Sequence, residues 1–327
     1  MAEFKLRPGV PEVSPKEDWG FKKTFSIDRN AKKKVLITGQ GSYIGESFKK
    51  WSQEHYADNF QIDDMSVIGD DWKQADFSPY DAVFHVAGLA HADVGNVSDE
   101  VKEKYYQVNT DLAIAVAKKA KEDGVNQFVF MSSMIIYGES AGYGKKKVVT
   151  ETTKPSPANF YGDSKWQADR GVRALASEDF NVAVLRPPMI YGKGSKGNYP
   201  VLAKLAKKLP IFPNVNNERS MLHIDNLCEF LSLLMLSGQS GIYIPQNAEY
   251  TKTSEMVQMI GQVTGSKVRL TKALNPCVSL ASIFPGKIGG LANKAFGNMA
   301  YDESLSKYEG MNYIINSLEE SVIRTEG

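Results

Sequence analysis

Two cysteines, Cys228 and Cys277, are all the thiol chemistry in a chain of 327 residues. They stand far apart and outside any metal-ligand spacing, so no metal site is expected. The two could pair with each other, but reduced thiols in a cytosolic protein are the plainer expectation. No apolar run approaches the length that crosses a bilayer. No sign of charge dominates either, because 39 basic and 38 acidic residues leave a net +1. Such a balance gives no general attraction to nucleic acid or to an anionic membrane, so neither is an expected partner and any anion has to be held locally. Internal repeats and low-complexity segments are missing. Residues 1–31, with Pro8, Pro11 and Pro15, lack the apolar stretch of a secretory signal and read as an extension that wraps on the body or stays loose.

What is present, from Lys34 onward, is an alternation of short β-branched runs with amphipathic stretches. Val35–Thr38, Phe60–Met65, Asp81–Val86, Gln127–Met131 and Val182–Leu185 read as strands. Helices are expected from Tyr43 to about Tyr56, from Glu100 to Asp123, and around Tyr161 and Lys165. Alternation of this kind predicts an α/β fold, a doubly wound parallel sheet covered on both faces. After Arg186 the pattern weakens into a stretch rich in Gly, Lys, Pro and Asn. A helix over Asp225–Leu236, a strand at Ile242–Ile244 and a helix over Ser254–Thr264 follow, before an irregular carboxyl-terminal region. The division expected is a sheet domain over 32–190 and 225–264, with a smaller mixed α/β substrate-binding lobe over 191–224 and 265–327. The stripe Leu231, Leu234 and Met235 reads as the core face of its helix. Lys145–Lys147 and Lys204, Lys207 and Lys208 read as solvated charge.

Thr38-Gly39-Gln40-Gly41-Ser42-Tyr43-Ile44-Gly45 falls where the first strand turns into the first helix. Glycines there let a backbone approach a pyrophosphate, and the helix start offers free N–H groups and the positive end of its dipole. Asp63 lies roughly twenty residues further on, where a carboxylate binds the hydroxyls of an adenosine ribose, with Asp64 as the neighbouring candidate. Neither the turn nor Ile62–Asp71 holds an Arg or Lys to receive a 2′-phosphate, which favours NAD over NADP.

Tyr161-Gly162-Asp163-Ser164-Lys165 sets a phenol and an ammonium four residues apart on one helix face. A cation so placed is expected to lower the phenol toward neutrality and fit it to exchange a proton with a sugar hydroxyl. Ser132-Ser133 ends the preceding strand, at the edge where such sheets gather their active groups.

The chain resembles the extended short-chain dehydrogenases/reductases, in particular the NAD-dependent nucleotide-sugar epimerase and dehydratase family. The resemblance rests on the Thr38–Gly45 turn, Asp76, His85-Val86-Ala87-Gly88, Val108-Asn109-Thr110, Ser132–Gly138, Tyr161/Lys165, Leu185–Gly192 and Arg219–Asp225, in family order over roughly 34–226. It implies a Rossmann-like NAD-binding domain and a catalytic set of Ser133, Tyr161 and Lys165. It implies cofactor contacts from Gly39, Gly41, Ser42, Tyr43, Ile44, Asp63, Asp76, Ala87, Gly88, Asn109, Tyr161, Lys165 and Pro188. Substrate contacts are implied for Ser133, Asn198, Phe212 and Arg219, the last on the diphosphate, and His91 is a weaker candidate. The chain departs from the family twice. Ser42 stands where glycine is usual, and Met134 and Ile135 stand where dehydratases carry an acid pair, so dehydration is not expected. The resemblance implies a UDP-hexose 4-epimerase, and a homodimer through the Glu100–Asp123 and Tyr161–Ala176 helices. A nucleotide 4-keto-sugar reductase needs the same residues and stays open. A non-catalytic dinucleotide sensor is a third reading, which the retained serine, tyrosine and lysine oppose.

Overall fold

A computed structural model describes residues 4–12, 24–90 and 97–327 of the protein. The first half runs β1 (Lys33–Thr38), α1 (Tyr43–His55), β2 (Phe60–Met65), β3 (Ala82–His85), α2 (Asp99–Tyr106), α3 (Leu112–Glu122), β4 (Gln127–Met131), β5 (Val148–Val149), α4 (Phe160–Arg173) and β6 (Asn181–Leu185). The second runs β7 (Met189–Tyr191), α5 (Asn198–Lys208), β8 (Ile211–Pro213), β9 (Met221–His223), α6 (Ile224–Ser237), β10 (Gly241–Tyr243), α7 (Thr253–Val263), β11 (Arg269–Thr271), α8 (Asn275–Ile283), α9 (Lys287–Phe296), β12 (Ala300–Tyr301) and α10 (Leu318–Glu326).

The central sheet has six strands in the order β10-β6-β4-β3-β1-β2, all parallel. The order reverses between β1 and β3, which opens a crevice at the carboxyl ends of those strands. Side chains alternate across the pleat. Val35 and Ile37 enter one core with Phe48 and Trp51 of α1 and Leu227, Leu231 and Leu234 of α6. Leu36, between them, enters the other core with Val83, Phe128, Ala113 and Val116 of α3 and Val172 of α4. Leu231, Leu234 and Met235 are fully buried, as their stripe predicted. Burial at this level contributes about 1.5–3 kcal/mol per large apolar side chain.

A third core gathers Tyr199 of α5, Phe212 of β8, Met256 and Ile260 of α7, Phe296 of α9 and Leu318 of α10. The expected division shifts here. Helix α7, assigned from its sequence position to the sheet domain, has its apolar face in this lobe core. Met311 and Tyr313, assigned to the lobe, pack under α6 in the sheet core. The amino-terminal extension also takes part in the fold. Phe25 is buried in the α1/α6 core, and its N–H donates to the Glu309 carbonyl over 2.8 Å. Arg7 forms ion pairs with Asp111 and Glu103, Val10 packs in the α3/α4 core, and Arg170 donates to the Pro11 and Glu12 carbonyls. Residues 4–12 thus lie on the two helices expected to build a homodimer bundle. The carboxyl-terminal region is not irregular, since it carries α8, α9 and α10. Cys228 is buried and Cys277 exposed, and neither is bonded to the other.

Candidate active site

The turn after β1 is built for close approach. Gly39 has φ +126°, and a Cβ there would meet the Ala87 N at 2.6 Å. Gly41 has φ +73° and nothing within 4 Å of the Cβ position, so it opens onto free space. Ser42 explains the first departure from the family pattern. Its φ is −72°, so glycine is not required, and its hydroxyl caps α1 by accepting from the Gly45 N–H over 3.2 Å. Tyr43 and Ile44 form the first helical turn, whose remaining N–H groups have no helical acceptor. An open cradle with free amide donors and a positive helix end fits a dinucleotide pyrophosphate.

The two aspartates of β2 point to opposite faces. Asp63 accepts from the Tyr80 hydroxyl over 3.0 Å and has the Lys34 ammonium at 3.9 Å. Asp64 pairs with Lys49 of α1 and hydrogen-bonds Gln40 of the turn, and both hold its carboxyl below the usual range. Cations therefore do reach this end of the crevice, from β1 and α1, but each faces a carboxylate. Asp76 is exposed and accepts from the Ser78 N–H over 2.9 Å.

Beyond β3 the loop is tied down from α2–α4. The long helix expected over Glu100–Asp123 is present but carries a π-turn at Gln107–Asp111, which turns Asn109 and Thr110 inward. Asn109 accepts from the Leu89 N–H over 2.7 Å and donates to the Leu89 carbonyl and the Ser164 hydroxyl, both over 3.1 Å. A Cβ on Gly88 would meet the Lys165 ammonium at 3.0 Å and Asn109 Oδ1 at 3.1 Å. The Ala87 N–H donates to the Thr38 carbonyl over 3.0 Å, so the loop also lies against the turn after β1.

Ser133, Tyr161 and Lys165 belong to elements that meet at this same edge. Ser133 caps the short 3₁₀ turn Met134–Tyr137, accepting from the Ile135 N–H over 3.3 Å. That turn packs on the start of α4, where a Cβ on Gly162 would meet the Ile135 carbonyl at 3.0 Å. Asn159 caps α4 by accepting from the Gly162 N–H over 3.0 Å and sets Tyr161 in the first turn. Lys165, one turn on, is buried and donates to the Met131 carbonyl at the end of β4 over 3.1 Å.

The protonation states differ from the expectation. Burial pushes the Tyr161 phenol up to about 12, with Tyr105, whose ring lies 5.8 Å away, adding to the rise. Desolvation lowers the Lys165 ammonium to about 8. One Lys165 N–H donates to the Met131 carbonyl, and the rise of the phenol is set by burial and Tyr105 rather than by the attraction that the four-residue spacing suggested. Tyr161 is neutral at pH 7. His85 is neutral as well, lowered to about 3 by complete burial, with Nδ1 against the Thr38 hydroxyl at 2.9 Å.

Under this layer lies a network that sequence reasoning missed. Arg186 grips Asp169 with two bonds of 2.9 Å and donates to the Tyr137 hydroxyl over 2.8 Å. Arg173 donates to the same carboxylate over 2.8 Å, and all three charged side chains are fully buried. Burial alone would raise Asp169, but the two guanidiniums outweigh it and hold the carboxyl down at about 2. Lys165, Asp169 and Arg173 recur every four residues on α4, and this was the available signal. Lys147, read as solvated, instead donates over 2.7 Å to the carbonyls of both Tyr137 and Glu139.

The remaining residues lie on the lobe side. Pro188 is buried beside Pro187, whose carbonyl accepts from the Met134 N–H over 2.9 Å. Asn198 opens α5. Phe212 points into the lobe core, 5.7 Å from the Phe296 ring, so its side chain is occupied, and its backbone lies opposite Leu270 in the β8–β11 pair. The Arg219 guanidinium reaches the Lys294 carbonyl on α9. His91 lies outside the described residues.

Comparison with known proteins agrees with this geometry. The model of the NAD dependent epimerase/dehydratase family matches residues 35–244. A UDP-glucose 4-epimerase of Vibrio cholerae is 28% identical over 251 residues, covering 71% of this chain and 76% of that protein. An N-acetyl-alpha-D-glucosaminyl-diphospho-ditrans,octacis-undecaprenol 4-epimerase of Escherichia coli O157:H7 is 26% identical over 304 residues, covering 87% of this chain and 83% of that protein. Among solved structures, a dTDP-4-dehydrorhamnose reductase of Clostridium acetobutylicum superposes with a TM-score of 0.66 at 16% identity, covering 89% of this chain and 98% of that one. A UDP-glucuronic acid 4-epimerase of Bacillus cereus in complex with NAD gives 0.64 at 14%, covering 90% and 95%. The six-stranded parallel sheet, the open cradle after β1 and the matched span together show that the chain is an enzyme of the NAD dependent epimerase/dehydratase family.

Proposed function

We propose that the protein is a nucleotide-sugar 4-epimerase acting on a UDP-hexose of the glucose/galactose type. The observation that carries this reading is the meeting of Ser133, Tyr161 and Lys165 at one sheet edge, beside Met134 and Ile135, which cannot transfer the protons that dehydration needs. The UDP-glucose 4-epimerase names among the relatives support it. Gly39, Gly41, Ser42, Tyr43 and Ile44 hold the pyrophosphate of NAD, and Asp63 or Asp64 the adenosine ribose. Asp76, Ala87, Gly88, Asn109 and Pro188 line the rest of the cofactor. Bound NAD supplies a reversible hydride acceptor. Tyr161 takes the proton of the sugar C4 hydroxyl and later returns it to the 4-keto oxygen, with Ser133 hydrogen-bonding that oxygen. Lys165 carries the positive charge that phenolate formation needs. Arg219 receives the diphosphate, with Asn198 and the backbone at Phe212 beside the nucleoside.

One observation favours the second reading, a 4-keto-sugar reductase: a phenol raised to about 12 is a proton donor at rest, as a reductase requires. The two are separated by what the enzyme does with its cofactor. An epimerase retains stoichiometric NAD through purification and interconverts UDP-glucose and UDP-galactose with no net redox change. Net consumption of NADH with a nucleotide 4-keto sugar, and no interconversion, overturns the epimerase in favour of the reductase.

A further inference from the structure

The whole-chain charge balance conceals one strongly one-sided stretch. From Met256 to Tyr301 there is no aspartate or glutamate, although the chain carries 38 of them, while Lys267, Arg269, Lys272, Lys287 and Lys294 are all present. Within this stretch α8 and α9 form a helical hairpin that turns at Phe284–Gly286.

The hairpin has two unlike faces. Its inner face is anchored: Phe296 lies in the lobe core with Val278 and Ala295 against it, and Asn293 donates to the Ser282 carbonyl over 3.0 Å. Its outer face is bare. Leu280 is 56% exposed, Ile283 76%, Phe284 52%, Ile288 62% and Leu291 68%. Leu280 with Ile283, and Ile288 with Leu291, recur at three-residue spacing, so each helix presents an apolar stripe outward. Six of the sixteen exposed large apolar side chains among the described residues fall between Leu274 and Leu291. An apolar face on two packed helices, in a stretch whose exposed Lys267, Lys272 and Lys294 are met by no acidic residue of that stretch, is a docking surface rather than scattered surface hydrophobicity.

Charge selects the occupant. A second copy of the chain, meeting this face by a two-fold axis, would set lysines against lysines with no carboxylate in the stretch to separate them. An anionic bilayer surface instead offers phosphate to the lysine rim and an acyl boundary to the apolar tip. No described helix is long and apolar enough to cross a membrane, so the hairpin can only lie in the interface. We propose that the α8–α9 hairpin docks the enzyme on anionic lipid membranes.

The test is flotation of the full-length protein with vesicles, which reads docking without reading turnover. The protein is expected to float with phosphatidylglycerol-containing vesicles, to stay behind with pure phosphatidylcholine, and to be released by salt. The triple change Ile283→Ser, Phe284→Ser, Leu291→Ser removes mainly exposed apolar area, so it should cut binding at least about tenfold while circular dichroism and thermal midpoint hold. Lys272→Glu with Lys267→Glu should weaken binding and its salt dependence together. Absence of flotation with anionic vesicles overturns the proposal, as does binding indifferent to both variants. A wild-type dimer that the triple change converts to monomer without altering flotation assigns the face to a second copy and overturns it equally.

Discussion

The carboxyl edge of the sheet and the α8–α9 hairpin of the lobe are finished differently, one by buried polar contacts and the other by an exposed apolar face. At the sheet edge several side chains are fixed by buried polar partners: Asn109 by Leu89 and Ser164, Lys165 by Met131, and Arg186 and Arg173 by Asp169. On the lobe side Arg219 rests on one backbone carbonyl of α9, and the hairpin that carries it leaves its outer face bare. Preorganised groups suit proton and hydride transfer, where a displacement of an ångström costs rate. The lobe framework has buried polar ties of its own, Asn217 donating to the Thr253 hydroxyl and the Gly297 carbonyl, so the contrast lies with the outer face of the α8–α9 hairpin.

The largest effect expected from breaking the sheet edge is kinetic. Tyr161→Phe keeps the helix and its packing but removes the exchangeable proton, so steady-state turnover should fall by about two to four orders of magnitude. Cofactor content should be unchanged, and retained turnover would place the proton transfer elsewhere. Next comes stability. Asp169→Asn leaves two buried guanidiniums under-compensated and should cost about 3–5 kcal/mol in denaturant unfolding. A surface change on the lobe, Lys204→Ala, should cost under about 0.5 kcal/mol.

How much of this contrast was legible in the sequence follows from its physics. Along β1, Val35, Leu36 and Ile37 alternate between the two cores, and the glycine turn and the Tyr161–Lys165 pair are local patterns, so the sheet and its edge could be read directly. The π-turn that aims Asn109 inward has no local signature, because it depends on α4 receiving Thr110 and Asn109. The raised phenol was also hidden, since spacing shows that a lysine is near but not that its ammonium is already bound to Met131. In the lobe, α5, α8 and α9 were obscured by glycines, prolines and lysines, and their packing comes from residues distant in sequence such as Leu318 and Met256. The extension at the amino terminus was illegible for the same reason: Arg7 finds its partners about a hundred residues away.

Acid should loosen both sides progressively. His85 and His223 are both buried and neutral, lowered to about 3 and about 4 by desolvation, against 6.5 in the unfolded chain. Between those limits the unfolded chain binds protons that the folded chain refuses, so stability falls as pH drops below 6.5. Each histidine costs about 1.4 kcal/mol per pH unit in that window. Denaturant midpoints at pH 7 and pH 5 check this, and a flat profile would mean that solvent reaches both rings. A smaller effect than that of Asp169 belongs to the cradle. Ser42→Ala removes the cap of α1 and should cost about 1 kcal/mol, read as a shift of the denaturant midpoint. Ser42→Gly should cost only a few tenths of that unit.

The most direct measurement is of hydride itself. The NAD-loaded enzyme, mixed with excess UDP-glucose, should show reduced-nicotinamide fluorescence that rises with pH, because the neutral Tyr161 phenol must lose its proton for the sugar to be oxidised. UDP-galactose should appear as that signal decays. A nicotinamide that stays oxidised at every pH, in an enzyme that nonetheless interconverts the two sugars, would contradict the account.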